Sequence, residues 1–242
     1  MKLHTIAQQS PEGHELHRGR PTAGSFDRII SPGALGKRWA GLVNGTLCGH
    51  QHKTMEAAEE CVLKFIKKHK LDEDIEIVQC PIELAASADD YINELIAQRF
   101  HVGELGETFF RAPSRAMQNG IDTEAEARAY YALESDYNVD QVGFCETDDG
   151  RFGCSPDGLI LLAGVPVGAL ELKCPTGKVH VSYLRAGGLP PEYRPQVHGE
   201  LLITGAEWVD FVSYCPGLPP LIVRVVPDDF TVALRDCLEL FW

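Results

Sequence analysis

Asp157, Glu171 and Lys173 are the residue types that metal-assisted phosphodiester hydrolysis requires, at a spacing that can bring them together. Asp157 stands in Ser155-Pro156-Asp157-Gly158-Leu159, beside a turn signal. Glu171 and Lys173 stand in the apolar run Ala169-Leu170-Glu171-Leu172-Lys173-Cys174-Pro175. Side chains two apart on a strand leave the same face, so Glu171 and Lys173 project together. Leu170, Leu172 and Cys174 then point the other way, into a core. A loop-borne Asp157 can swing next to Glu171. Two hard carboxylate ligands with a nearby cation are what Mg²⁺ needs to hold a phosphate and ionise a water.

The elements that must position these groups follow from pattern and punctuation. Residues 14–30 read as a loop entering a short helix, with Thr22 or Ser25 as its N-cap. Residues 37–84 form a separable ββαβ block: strand-like runs flank Asn44-Gly45, a strong hairpin signal, Thr54 caps a helix to about His69, and Ile75 to Val78 closes as a strand. Ser87 with Asp90 resembles a capping box opening a helix with Tyr91, Ile92, Leu95, Ile96 and Phe100 along one stripe. A longer helix covers roughly Ser114 to Glu134, with Met117, Ala127, Tyr130 and Tyr131 apolar. Strands follow at 139–146, 151–154, 159–162 and 167–173, then helices at 178–185 and 195–203. Buried strands are expected at 208–214 and 221–226, before a last helix capped by Asp228 or Asp229. Helices before and after a strand meander imply an α/β fold whose mixed central sheet is covered on both faces. The division expected is a main domain of residues 1–36 and 85–242 carrying 37–84 as an insert.

Composition narrows the field. With 242 residues, 44% of them hydrophobic, the chain can bury one real core and a small accessory unit. No apolar run is long enough to span a bilayer, and the polar N-terminus lacks a signal-peptide core. Eight scattered cysteines without a Cys-x-x-Cys motif fit reduced thiols in a cytoplasmic protein. A net charge of −13 argues against indiscriminate nucleic-acid binding, although an enzyme can confine its cations to a groove or channel.

At its two acidic words the chain resembles the lambda-exonuclease, or YqaJ-type viral recombinase, branch of the PD-(D/E)xK nucleases. The resemblance extends to Gly120-Ile121-Asp122-Thr123-Glu124-Ala125-Glu126-Ala127-Arg128, similar to a Gly-x-x-x-Glu-x-x-Ala-Arg helix of that family. With 37–84 set aside, Thr22 to Phe26 and Ser31 to Gly33 join Ser87 to Tyr91 in the family's order. The resemblance implies a restriction-endonuclease-like core and a metal bound by Asp157, Glu171 and the Leu172 carbonyl, with Glu124 serving a second metal or the water network. It implies that Lys173 orients or activates the attacking water and that Gln196 sits near the scissile phosphate. The metal implied is Mg²⁺, with Mn²⁺ as its substitute. Double-stranded DNA ends are the implied substrate, degraded 5′→3′ to leave a 3′ tail for a single-strand annealing recombinase. A homotrimeric ring in the cytoplasm of a bacterial host, phage or prophage encoded, is implied as well. The family's segment for a terminal 5′-phosphate places an Arg before Thr-Ala-Ser; here it reads His17-Arg18-Gly19-Arg20-Pro21-Thr22-Ala23-Gly24-Ser25, with Gly24 at the serine. A one-residue slip lets Arg18 and Ser25 serve, beside His17.

Blander readings stand beside these. Strand-edge charges are usually solvated, and a helix glutamate or glutamine commonly meets water. Cys48-Gly49-His50-Gln51-His52 with Cys61 downstream invites zinc, but its spacing matches no established finger. Lys64, Lys67, Lys68 and Lys70 sit at a helix C-terminus, where cations favour the dipole; a contact with a DNA backbone is the alternative. Two other readings remain open: a Cas4-like nuclease, for which Cys215 and Cys237 alone are too few to bind an iron–sulfur cluster, and a non-catalytic DNA-end or recombinase-binding module of the same fold.

Overall fold

The computed structural model describes residues 1–8, 10–31, 38–43, 46–47, 49–69, 75–80, 82–100 and 115–242, with backbone alone for 46–47 and 115–122. The Asn44-Gly45 turn, Pro32-Gly33, Cys48, Lys70, Ser114 and the Met117 side chain lie outside the described residues.

The centre is a four-stranded mixed sheet in the order β10-β9-β8-β7. Its strands are β7 (Gly158–Leu162), β8 (Val165–Lys173), β9 (Trp208–Ser213) and β10 (Leu221–Val225). β7 and β8 form an antiparallel hairpin turned at Ala163-Gly164, both with positive φ (51° and 80°), which is the twist a two-residue hairpin turn needs. β8 and β9 run parallel, placing Leu170 beside Asp210, Glu171 beside Phe211 and Lys173 beside Ser213. The period of two sorts β8 as expected. Ala169 joins the main core, while Leu170 and Leu172 pack with Ala127, Tyr131, Val212 and Tyr214 on the opposite face. Glu171 and Lys173 therefore share the face of Ala169.

Helices cover both faces. α4 (Arg115–Ser135) lies over Leu170 and Leu172; α6 (Arg194–Thr204) and α7 (Asp229–Phe241) cover the other side, with Val197, Leu201, Phe230 and Leu234 in the main core. Each large apolar side chain buried there contributes roughly 1.5–3 kcal/mol. α7 begins in a capping box, where Asp228 accepts from the Phe230 and Thr231 amides. β10 alternates between half-buried and exposed positions. It is an edge strand, and the reading of a buried strand there was too generous.

The N-terminal region holds more structure than a loop and one helix. β1 (Lys2–His4) pairs with β5 (Phe144–Glu146), which pairs with β6 (Gly153–Cys154), in a separate sheet. α1 (Pro11–His17) starts at Ser10, whose hydroxyl accepts from the Gly13 amide, with Pro11 in the first helical position. Thr22 precedes a 3₁₀ turn (Ala23–Arg28) without capping it through its side chain. The strands expected over 139–146 and 151–154 are shorter than their patterns suggested.

In the 37–84 block the element order is ββαβ: β2 (Trp39–Val43), β3 (Thr46–Leu47), α2 (Met55–His69) and β4 (Ile75–Gln79), with sheet order β3-β2-β4. The Thr54 hydroxyl caps α2 through the Ala57 amide. α3 (Ala88–Phe100) buries Tyr91 and Leu95, but Ile96 and Phe100 are exposed, so its apolar stripe is narrower than the sequence implied. The Ser87 hydroxyl donates to the Arg28 carbonyl, tying α3 to the N-terminal segment. Among the described residues, no helix is long and apolar enough to cross a membrane.

Candidate active site

β7 and β8 bring Asp157 and Glu171 together at one end of the central sheet. The Asp157 amide donates to the Leu170 carbonyl (2.9 Å), and its Oδ2 accepts the Leu172 amide (2.6 Å). The loop carboxylate is thereby pinned across the strand that carries Glu171. Glu171, 2% exposed, accepts from Lys173 Nζ and from Gln196 Nε2 (2.6 Å). The Lys173 ammonium lies 5.1 Å from the centre of the Tyr193 ring, within cation–π range.

From the other face α4 supplies Glu124 and Arg128. Arg128 donates through Nη2 to Glu124 (2.5 Å) and through Nε to the Asp157 carbonyl (2.9 Å). One guanidinium thus fixes both the helix glutamate and the backbone of the loop aspartate. Asp157, Glu171, Lys173, Glu124 and Gln196 are therefore drawn into one neighbourhood from β8, α4, α6 and the loop before β7. Glu200, which the sequence reading passed over, joins them one turn beyond Gln196 on α6. Its carboxylate is 1% exposed, with Oε1 at 3.4 Å from Gln196 Nε2 and Oε2 without a partner. An acidic residue four positions after the glutamine, directly before the apolar run Leu201-Leu202-Ile203, was the available signal.

The electrostatics are those of concentrated negative charge. Burial, then the charges of Glu171 and Glu124, push the Asp157 carboxyl well above the usual range. Burial, then Glu171 and Asp157, do the same to Glu200. Burial works against the charge on Lys173, but Glu171, Asp157 and Glu200 outweigh it and hold the ammonium above the ordinary lysine range. Among the described residues, no three His, Cys, Asp or Glu side chains are gathered as a metal cluster. The donor chemistry nonetheless fits a hard divalent ion: buried carboxylate oxygens exceed the local cations, and Glu200 Oε2 has no protein partner.

The three residues read as a 5′-phosphate set each have partners of their own. His17 Nε2 meets Ser155 Oγ at 3.1 Å, two residues before Asp157, and its ring packs on Phe144. Burial, then His14 and Arg20, pull its pKa down to about 4. Arg18 turns to Glu15 on its own helix (3.0 Å). Ser25 shares a hydrogen bond with Tyr91. In the 37–84 block, Cys61 Sγ lies 3.6 Å from His50 Nδ1.

Known proteins share this arrangement of elements. A crystal structure of an alkaline exonuclease (LHK-Exo) from Laribacter hongkongensis is 26% identical, with a TM-score of 0.63 over 96% of this chain and 90% of that one. LHK-Exo in complex with dAMP gives 26% and 0.62 over the same shares. A phage-related exonuclease from Haemophilus somnus 129PT, 10% identical with a TM-score of 0.51 over 94% of each chain, shares the fold. No curated protein matches the chain. The model of the YqaJ-like viral recombinase domain matches residues 77–207, more than half of the chain, and spans Glu124, Asp157, Glu171, Lys173 and Gln196. With that match and this site, the chain belongs to the family of YqaJ-like viral recombinase domains.

Proposed function

We propose that the chain is a metal-dependent exonuclease that hydrolyses double-stranded DNA from its ends, 5′→3′, leaving a 3′ tail for a single-strand annealing recombinase. The observation that carries this reading is the meeting of a buried Glu171 with half-buried Asp157 and Lys173 where β8 passes the loop before β7, in a chain of this family. The names of its structural neighbours, an alkaline and a phage-related exonuclease, support it.

Asp157, Glu171, the Leu172 carbonyl and Glu124 would hold Mg²⁺ or Mn²⁺. Such an ion supplies Lewis acidity at the phosphate and a water of lowered pKa. The protein's own groups do the rest. Lys173, kept charged by its acidic neighbours, offsets charge that builds on the phosphoryl oxygens in the transition state. Gln196 holds Glu171 in one orientation, and Arg128 holds Glu124 and the Asp157 backbone. His17, neutral at physiological pH, offers a hydrogen bond beside Ser155 for a terminal phosphate, with Arg18 and Ser25 contributing from the same segment. The acidic chain is reconciled with DNA by a homotrimeric ring whose cations face a channel. Residues 1–36 and 85–242 form the catalytic domain and 37–84 an insert, in the bacterial cytoplasm.

Digestion of linear duplex DNA bearing 5′-phosphate or 5′-hydroxyl ends, in Mg²⁺ or EDTA, tests the reading with wild type and Lys173→Ala. Metal-dependent release of mononucleotides from 5′-phosphorylated ends, lost in the variant, is the expected result. A well-folded wild type that degrades nothing in either metal leaves a DNA-end binding module in its place.

A further inference from the structure

We infer that Glu200 is a positioning residue for this site: it sets the Gln196 carboxamide, through which Glu171 is oriented. The inference rests on the function proposed above. A carboxylate that is 1% exposed normally faces a cation. Among the described residues, however, the nitrogen donor that reaches the Glu200 carboxyl is the Gln196 amide, beside the Glu171 carboxyl with which Glu200 also shares a hydrogen bond. Gln196 and Glu200 are four apart on α6 and so share one face.

A carboxamide nitrogen has two hydrogens. At Gln196 one goes to Glu171 Oε1 (2.6 Å) and the other faces Glu200 Oε1 (3.4 Å). The amide nitrogen faces a carboxyl oxygen on each side, so the amide oxygen is turned away from both. Without Glu200 a single hydrogen bond would remain, and the amide could rotate about it. The backbone holds Glu200 in place. A Cβ at the adjacent Gly199 would fall 2.5 Å from the Phe26 ring, so α6 is pressed onto the 3₁₀ segment at a distance only glycine allows. Partners that fix a ligand carboxylate tune metal affinity nearly as strongly as the ligand itself.

The test measures Mn²⁺ binding to the full chain by calorimetry without DNA, and kcat and KM for duplex digestion. Glu200→Gln keeps an acceptor oxygen and is expected to bind Mn²⁺ within about threefold of wild type. Glu200→Leu is expected to weaken Mn²⁺ about tenfold or more and to lower kcat rather than raise KM. Because Glu200 acts through Gln196, Gln196→Ala combined with Glu200→Leu should bind Mn²⁺ no more weakly than Gln196→Ala alone. Glu200→Ala replaces the leucine variant in every comparison if that variant does not fold. A folded Glu200→Leu with wild-type affinity and kcat overturns the inference. So does Glu200→Gln as impaired as Glu200→Leu, or additive losses in the double variant. A wild type that neither binds Mn²⁺ nor digests DNA overturns the proposed function as well, whereas one that does both alongside an unimpaired Glu200→Leu overturns this inference alone.

Discussion

Tyr131 donates its hydroxyl to Asp210 Oδ2 at 2.6 Å, joining α4 to β9 behind the active-site strand. Asp210 lies opposite Leu170 on β8 and takes Arg224 Nε (2.9 Å) and Nη2 (2.7 Å) from β10, so one buried carboxylate links a helix and two strands. Tyr131 is two helical turns from Glu124, so this bond sets the height at which α4 offers its glutamate. Burial, then Asp210, push the Tyr131 hydroxyl far above its ordinary range and keep it a donor. Tyr131→Phe is expected to lower stability by about 1–2 kcal/mol. Asp210→Ala should cost more, about 3 kcal/mol, because it strands both a hydroxyl and a guanidinium. Urea unfolding checks both, and equal losses would show that Asp210 acts through Tyr131 alone.

Arg128 touches both Glu124 and the Asp157 backbone. Its two contacts leave different nitrogens of a planar fork, which a lysine ammonium cannot reproduce. Arg128→Lys should therefore lower kcat by about tenfold or more while stability changes by roughly 1 kcal/mol or less. Steady-state digestion paired with a thermal melt checks this. A lysine variant of wild-type kcat would mean that Glu124 needs no fixed orientation.

The His17 pair with Ser155 gives a pH signature. Its pKa is about 4 in the folded chain, against an ordinary value of 6.5. Between those values the unfolded state binds the proton and the folded state does not, so stability falls as pH drops from 6.5 towards 4. His17→Gln can keep a bond to Ser155 Oγ but does not titrate. Wild type should lose on the order of 2 kcal/mol more than this variant across that window. Parallel losses in urea melts at pH 7 and pH 4.5 would show that the ring is solvated.

The period-2 pattern made β8 legible: one face carries Leu170 and Leu172, the other Glu171 and Lys173, as the structure has it. Pairing Asp157 with Glu171 was legible too, because a short hairpin leaves little freedom in register. The sequence did not disclose what depends on contacts between distant segments. Ser10-Pro11-Glu12 is a local start signal for α1, but β1 has meaning only beside β5, more than a hundred residues on. Ile96 and Phe100 fit a helical stripe yet are exposed among the described residues. Glu200 belongs to no motif, and its burial goes with the close seat that Gly199 gives α6 against Phe26. The catalytic word is local; the groups that hold it come from elsewhere in the chain.

α2 provides the last prediction. Lys67 and Lys68 stand in its final turn, whereas Lys64 is engaged by Glu60 at 2.7 Å. If the 37–84 block grips duplex DNA ahead of the active site, Lys67 and Lys68 contact phosphates and release counterions on binding. Reversing both to glutamate should then weaken duplex binding at low salt and reduce the slope of log K against log salt by about 2. The proposed catalytic groups lie on β8, α4, α6 and the loop before β7, so kcat at saturating DNA should not change. Fluorescence anisotropy across a salt series, with the hydroxyl-ended duplex in EDTA to prevent digestion, separates the alternatives. An unchanged slope would return these lysines to the simpler role of favouring the C-terminal end of their own helix dipole.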